Sequence, residues 1–230
     1  VPVLNIYPAA VWRPGPAGKI WPGANACEGI IEHSAQGSLA GAWSVLDDVS
    51  ADADGRYLAA SWHFTIAKDG TVYQHYGLDR SPFHAGTKTQ NLRLIGVEHE
   101  GGPPGNLAEP LTEAQIQASV LLARWIAEQG AFTLAREPAV RTLYEHRELW
   151  GTECPSGRVP WDHYVGIADP YPVPLAYFTW RGKGEQAWQN IWELRVVTTQ
   201  PNTNILLTRE GREHGTDEVM RVVVEDWVGG

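Results

Sequence analysis

The stretch Glu145-His146-Arg147-Glu148-Leu149-Trp150-Gly151-Thr152-Glu153-Cys154-Pro155 carries an imidazole and a thiol eight residues apart. A zinc ion accepts such nitrogen and thiolate donors, and a catalytic zinc takes three protein ligands and keeps a fourth position for water. The spacing is too long for one helical turn. It suits a strand end and the loop after it, with Pro155 stiffening the exit through its fixed φ. His33 is the candidate for a third donor, because it ends the run Glu28-Gly29-Ile30-Ile31-Glu32-His33 and opens into the turn Ser34-Ala35-Gln36-Gly37-Ser38; a partly buried polar residue is the equal alternative. His33, His146 and Cys154 all stand at element ends beside loops, where separate elements can converge on one mouth of a mixed sheet. A zinc ion held there polarises a carbonyl and lowers the pKa of a bound water from about 15.7 toward about 7, the chemistry of amide or ester hydrolysis. That chemistry wants a carboxylate to take the water's proton and pass it to the leaving amine. Glu98, near the end of the run Leu92-Arg93-Leu94-Ile95-Gly96-Val97-Glu98-His99-Glu100, is the candidate; a solvated carboxylate at a sheet edge is the other reading. Cys154 has two further readings. It can pair with Cys27, the only other cysteine, or act as a thiol nucleophile with His146 as its base.

The elements that must position these groups follow from pattern. Ser61 to Ile66 and Thr71 to Tyr76 are β-rich runs joined by Ala67-Lys68-Asp69-Gly70, a hairpin signal. Leu39 to Val49 reads as a short helix. Thr112 and Gln115 form a capping box that opens a helix to about Gln129, with Ile116, Val120, Ala123 and Ala127 along one stripe and Gly130 as its stop. Ala139 to His146 supplies a strand into the opening stretch, and Trp161 to Ile167 a short helix. Residues 1 to 26 read as an irregular, proline-rich arm pinned by Trp12 and Trp21. Asp169-Pro170-Tyr171-Pro172-Val173-Pro174 is a linker, since three prolines in five residues forbid a helix or a central strand. Beyond it, 194–199 and 205–209 read as strands.

Composition bounds the function. The 230 residues can bury a full core, and 43% hydrophobic with 20% charged residues is the balance of a soluble globular protein. A net charge of −9 without any basic run argues against a nucleic-acid partner, and none is expected. No apolar stretch approaches the roughly 20 residues that span a bilayer, so membrane insertion is not expected. The stretch Val1-Pro2-Val3-Leu4-Asn5 lacks the charged and apolar regions of a signal peptide, and a start at Val1 is also that of a processed or trimmed chain.

With these motifs in order, the chain resembles the zinc-dependent N-acetylmuramoyl-L-alanine amidases of the type-2 class, which share a fold with phage lysozyme-type amidases and peptidoglycan recognition proteins. The resemblance rests on Gly29-Ile30-Ile31-Glu32-His33-Ser34, Ser61-Trp62-His63-Phe64, Lys68-Asp69-Gly70-Thr71-Val72-Tyr73, Phe83-His84-Ala85-Gly86, Ile95-Gly96-Val97-Glu98, Leu111-Thr112-Glu113-Ala114-Gln115, His146-Arg147-Glu148 and Thr152-Glu153-Cys154-Pro155. It covers roughly residues 25 to 168. It implies an α/β fold, a central mixed β-sheet flanked by helices, over residues 1–168, then a linker at 169–176 and a small β-rich extension at 177–230 that packs on the amidase domain or binds the wall. It also implies that His33, His146 and Cys154 hold zinc and that the substrate is the amide between N-acetylmuramic acid and L-alanine in peptidoglycan. Glu98 matches the family's acid and base, Thr152 a position where a hydroxyl can donate to the developing oxyanion. Trp62, His63 and His84 match groove positions that meet substrate, or, for the two histidines, stand behind the ligands and support them. Trp62 departs from relatives that carry a catalytic tyrosine before the His-Phe pair; an indole cannot exchange a proton as a phenol does, which shifts the acid and base work to Glu98. The resemblance implies a monomer acting on the cell wall, as a phage endolysin does, reaching it by phage-encoded release or by an export route without a visible signal peptide. A recognition module that binds peptidoglycan without cutting is the runner-up, and Cys154, which noncatalytic relatives commonly lack, favours the enzyme.

Overall fold

The sheet that carries the chemistry is built from two apolar runs buried on both faces. A computed structural model describes residues 5–165; the expected linker and the strands read at 194–199 and 205–209 lie outside them. Among the described residues the strands are β1 (Val11–Trp12), β2 (Gly29–Ser34), β3 (Phe64–Ile66), β4 (Val72–Gln74), β5 (Leu94–His99) and β6 (Leu143–Glu145). The helices are α1 (Leu39–Asp47), α2 (Lys88–Asn91) and α3 (Glu113–Gly130), with single 3-10 turns at His146–Glu148 and Trp161–His163. The sheet order is β1-β4-β3-β5-β2-β6. Every neighbouring pair is parallel except the β3–β4 hairpin. The mixed sheet flanked by helices is therefore the expected architecture.

β2 and β5 lie side by side at the centre and are buried at every position. Strands covered on both faces read as continuous apolar runs, which is why Ile30, Ile31, Leu94, Ile95 and Val97 show little alternation. Central placement also removes the sheet-edge reading of Glu98. Its neighbours on either side are β2 and β3, and its carboxyl is only 7% exposed with the rest of the residue.

The register decides which residues share a face. Phe64 and Glu32 are both level with Val97, and Phe64 packs edge-on against Trp125 of α3. The α3 side therefore holds Phe64, Val97, Glu32 and His99, whose Nε2 lies 2.7 Å from Ser119 Oγ. The opposite face carries Ile31 and Leu94, packed with Ala85 and Leu149, and at its end His33, Glu98 and Thr65, which are level with one another.

The local signals explain the framework. Gly70 takes φ +86 in the hairpin, a left-handed conformation that favours glycine, and Gly70 N–H donates to Ala67 O. Thr112 and Gln115 form the capping box of α3, and Gln115 goes further: its buried amide donates to Ile66 O and Glu100 O, tying the helix start to two strand ends. The buried face of α3 is wider than the expected stripe. It includes Leu122, Trp125 and Ile126, while Ile116 is only half-buried. Gly130 is the last helical residue, and Ala131 at φ 54 makes the left-handed cap.

The N-terminal arm is corrected in its anchors. Trp12 is 49% exposed and takes its place in β1 through its backbone, level with Gln74. The arm is held by Lys19, which is fully buried and donates from Nζ to the carbonyls of Val45, Leu46 and Asp48 at the C-terminus of α1. Tyr7 adds a second anchor, with its ring 5.1 Å from that of Trp125. Trp21 packs edge-on against Phe83, as an anchoring residue would.

Candidate metal centre

Four parallel strands bring their C-terminal ends to one place, where open sheets of this kind hold ligands. Glu32 is level with Glu145, so the next residue along each strand direction puts His33 beside His146. Their ring centroids are 4.6 Å apart. The loop after His146 then folds back: Arg147 N–H donates to Cys154 O, and Ser34 N–H donates to Cys154 Sγ at 3.2 Å. Cys154 Sγ lies 3.8 Å from His33 Nδ1. One donor atom from each of His33, His146 and Cys154 lies within 4.8 Å of the other two.

These donors fit a tetrahedral cation. Zinc–nitrogen bonds of about 2.0–2.1 Å and a zinc–sulfur bond of about 2.3 Å set donor atoms roughly 3.3–3.8 Å apart, so only a small contraction is needed. His146 Nε2 is buried without a hydrogen-bond partner among the described residues. A buried polar atom left unpaired costs about 1–3 kcal/mol, and a cation at this point would satisfy it. Burial first, then the imidazoles of His146 and His84, hold His33 well below the ordinary imidazole range, and burial also lowers His146. Both rings are thus neutral, the form that binds a metal. Burial pushes the Cys154 thiol up to about 12, with Glu98 adding to it and the Ser34 N–H offsetting part. A thiol at that value is a poor free nucleophile, and the imidazole nitrogen in contact with it at 3.8 Å is His33 Nδ1, where the thiol-hydrolase reading names His146 as the base. Cys27 and Cys154 are both free thiols, which removes the disulfide reading.

Glu98 stands next to His33 on the same face. Its Oε1 is buried without a hydrogen-bond partner among the described residues, and burial pushes its carboxyl up to about 8, against the pull of Arg158. Thr152 is half-buried, and its Oγ1 accepts the Cys154 N–H at 3.2 Å, leaving the hydroxyl proton free to donate elsewhere. The remaining three expected site residues lie deeper. Trp62 is buried among Ala42, Leu46 and Tyr76, and its indole N–H donates to Thr65 Oγ1 at 2.7 Å. His63 is fully buried, with Nε2 bonded to Arg80 O and Nδ1 accepting from Gly96 N–H. The polar atoms that Trp62 and His63 would offer to a groove are already engaged. His84 is buried and meets the site through His33, with His84 Nδ1 3.2 Å from His33 Nε2.

Sequence reasoning missed Arg158. Its buried guanidinium donates to Ser34 Oγ, Glu109 O and Glu100 O, closing the loops over the site and placing a positive charge near Glu98 and Cys154. A lone arginine four residues past a cysteine carries no local signal; only the folded loop gives it partners.

Residues 24–157 match the family described as N-acetylmuramoyl-L-alanine amidase. The endolysin 2638A of Staphylococcus phage 2638A is 24% identical over 144 residues, which are 63% of this chain and 28% of that protein. The N-acetylmuramoyl-L-alanine amidase A of Achromobacter lyticus is 27% identical over 176 residues, covering 69% of this chain and 92% of that protein. Among solved structures, the catalytic domain of XlyA superposes with a TM-score of 0.50 at 22% identity, covering 67% of this chain and 95% of that domain, and shares the fold. The match thus spans less than a third of the phage relative's length.

Proposed function

The chain belongs to the N-acetylmuramoyl-L-alanine amidase family, and from that premise we propose that it hydrolyses the amide between N-acetylmuramic acid and L-alanine in peptidoglycan, with zinc held by His33, His146 and Cys154. The observation that carries the reading is the convergence of three neutral or soft donors beside a buried carboxylate with an unpaired oxygen. When bound, zinc supplies Lewis-acid polarisation of the amide carbonyl and of water. Glu98 takes the proton of the attacking water and returns it to the leaving alanine nitrogen, and its raised pKa suits that exchange near neutral pH. Thr152 donates its hydroxyl proton to the oxyanion as it develops. Arg158 holds the loop carrying Cys154 against the strand ends. The substrate is the polymeric wall, cut by a monomeric chain of the endolysin type; no helix among the described residues is long and apolar enough to cross a membrane.

The test is metal analysis joined to reconstitution. The purified chain is expected to carry one zinc, to stop releasing L-alanine amino termini from cell walls when the metal is stripped, and to recover with added zinc. Tight wall binding with no release under any metal condition would leave a recognition module instead. Activity indifferent to stripping and blocked by a thiol reagent would return the reaction to Cys154.

A further inference from the structure

His84 is braced on four sides. Asn91 Oδ1 accepts its backbone N–H at 2.9 Å and that of Ala85 at 2.8 Å. Its ring lies against Gly96 of β5, where a Cβ would sit 2.7 Å from the ring Cγ and Nδ1, so only glycine leaves room for it. His84 Nε2 is 3.2 Å from Leu94 O, and His84 Nδ1 is 3.2 Å from His33 Nε2. A carbonyl oxygen only accepts, so the proton of the neutral His84 ring sits on Nε2. Its Nδ1 is then a lone pair, and His33 Nε2 must be the donor between the two rings. That leaves the lone pair of His33 on Nδ1, the nitrogen 3.8 Å from Cys154 Sγ. The reverse arrangement would set two lone pairs against each other at Leu94 O.

We propose that His84 is a positioning residue: through a chain from Leu94 O to His84 to His33 it fixes the tautomer of His33 and selects Nδ1 as the atom that binds the metal. The assignment rests on the metal reading of the site, though not on any particular substrate. A ligating histidine whose second nitrogen is held in this way binds more tightly, and loss of such a partner typically weakens metal affinity about 10–100-fold. Of the two roles expected for His84, contact with substrate and support behind the ligands, this assignment takes the second, exerted through His33.

The experiment has two arms on the full chain. Long-range proton–nitrogen NMR of the metal-free wild type reads the tautomers directly and needs no variant; Nε2–H on both His33 and His84 is expected, and Nδ1–H on His33 would overturn the assignment. Zinc affinity is then measured by competition with a chromogenic chelator. His84→Ala should bind about 10–100-fold more weakly, while His84→Asn, whose Oδ1 falls near the place of Nδ1, should recover most of the loss. Equal affinity in wild type and His84→Ala would overturn the proposal, as would an asparagine variant no better than alanine when both are folded by circular dichroism. A chain with these tautomers and affinities that cuts no peptidoglycan would contradict the proposed function and leave this assignment standing.

Discussion

At the scale of single residues, the proposed reaction turns on which group moves protons and which carries charge. Glu98→Gln keeps the shape of the carboxyl and removes its basicity, so zinc content should be unchanged while turnover falls about 10²–10⁴-fold. A near-normal rate in that variant would take Glu98 out of the mechanism. The pH dependence follows in sign. A general base works only when ionised, and burial raises the Glu98 carboxyl from 4.5 to about 8 in the metal-free chain. A nearby cation pulls that value down again, so the acid limb of kcat/KM should rise with pH through a midpoint between the two values and be absent from Glu98→Gln. Thr152→Val should lose about 10²-fold in kcat as an oxyanion donor, and Thr152→Ser should retain most of it; equal rates in valine and wild type would reduce Thr152 to its turn bond with Cys154. The three candidate donors were legible in the sequence because histidine and cysteine at element ends announce themselves, and the fold brings them together. Their atom-by-atom roles were not. Which nitrogen His33 would offer a metal rests, in the proposed arrangement, on His84 and Leu94, more than 50 residues away in sequence, and no spacing rule encodes that.

At the scale of elements, signals that act within a few residues were readable and long-range anchors were not. Asp69-Gly70 specified the hairpin and Thr112 with Gln115 the start of α3, since each satisfies its own backbone groups locally. The end of β5 was ambiguous because Glu98, His99 and Glu100 look like a solvated edge; in the sheet their partners come from β2, α3 and the backbone of Leu39 and Lys68. The N-terminal arm misled in the same way. Tryptophan is the usual anchor and lysine the usual surface residue, yet Trp12 is exposed and Lys19 fills the C-terminal end of α1, where three carbonyls need donors. Lys19→Met keeps the apolar stem and removes all three bonds. It should cost roughly 1–3 kcal/mol, read as a lower urea midpoint with an unchanged slope; an unaltered midpoint would show that water serves those carbonyls equally well.

At the scale of the whole molecule, the parallel strands account for why one place collects the chemistry. β2, β5 and β6 run the same way in register, so residues distant in sequence end level with each other, and the loop carrying Cys154 needs only to fold back over them. Convergence was an expectation from element ends; the register, which aligns Glu32 with Glu145 and His33 with Glu98, supplies its physical reason. The central claim is that this centre cuts one particular bond. The most direct measurement is mass spectrometry of a soluble N-acetylglucosaminyl-N-acetylmuramoyl peptide after incubation with the zinc-loaded chain. The account predicts two products, an intact disaccharide ending in the free lactyl carboxylate and a peptide with a free L-alanine amino terminus, neither of which forms with Glu98→Gln. Products split within the sugar chain or between amino acids of the peptide, or an uncut substrate with zinc bound, would contradict it.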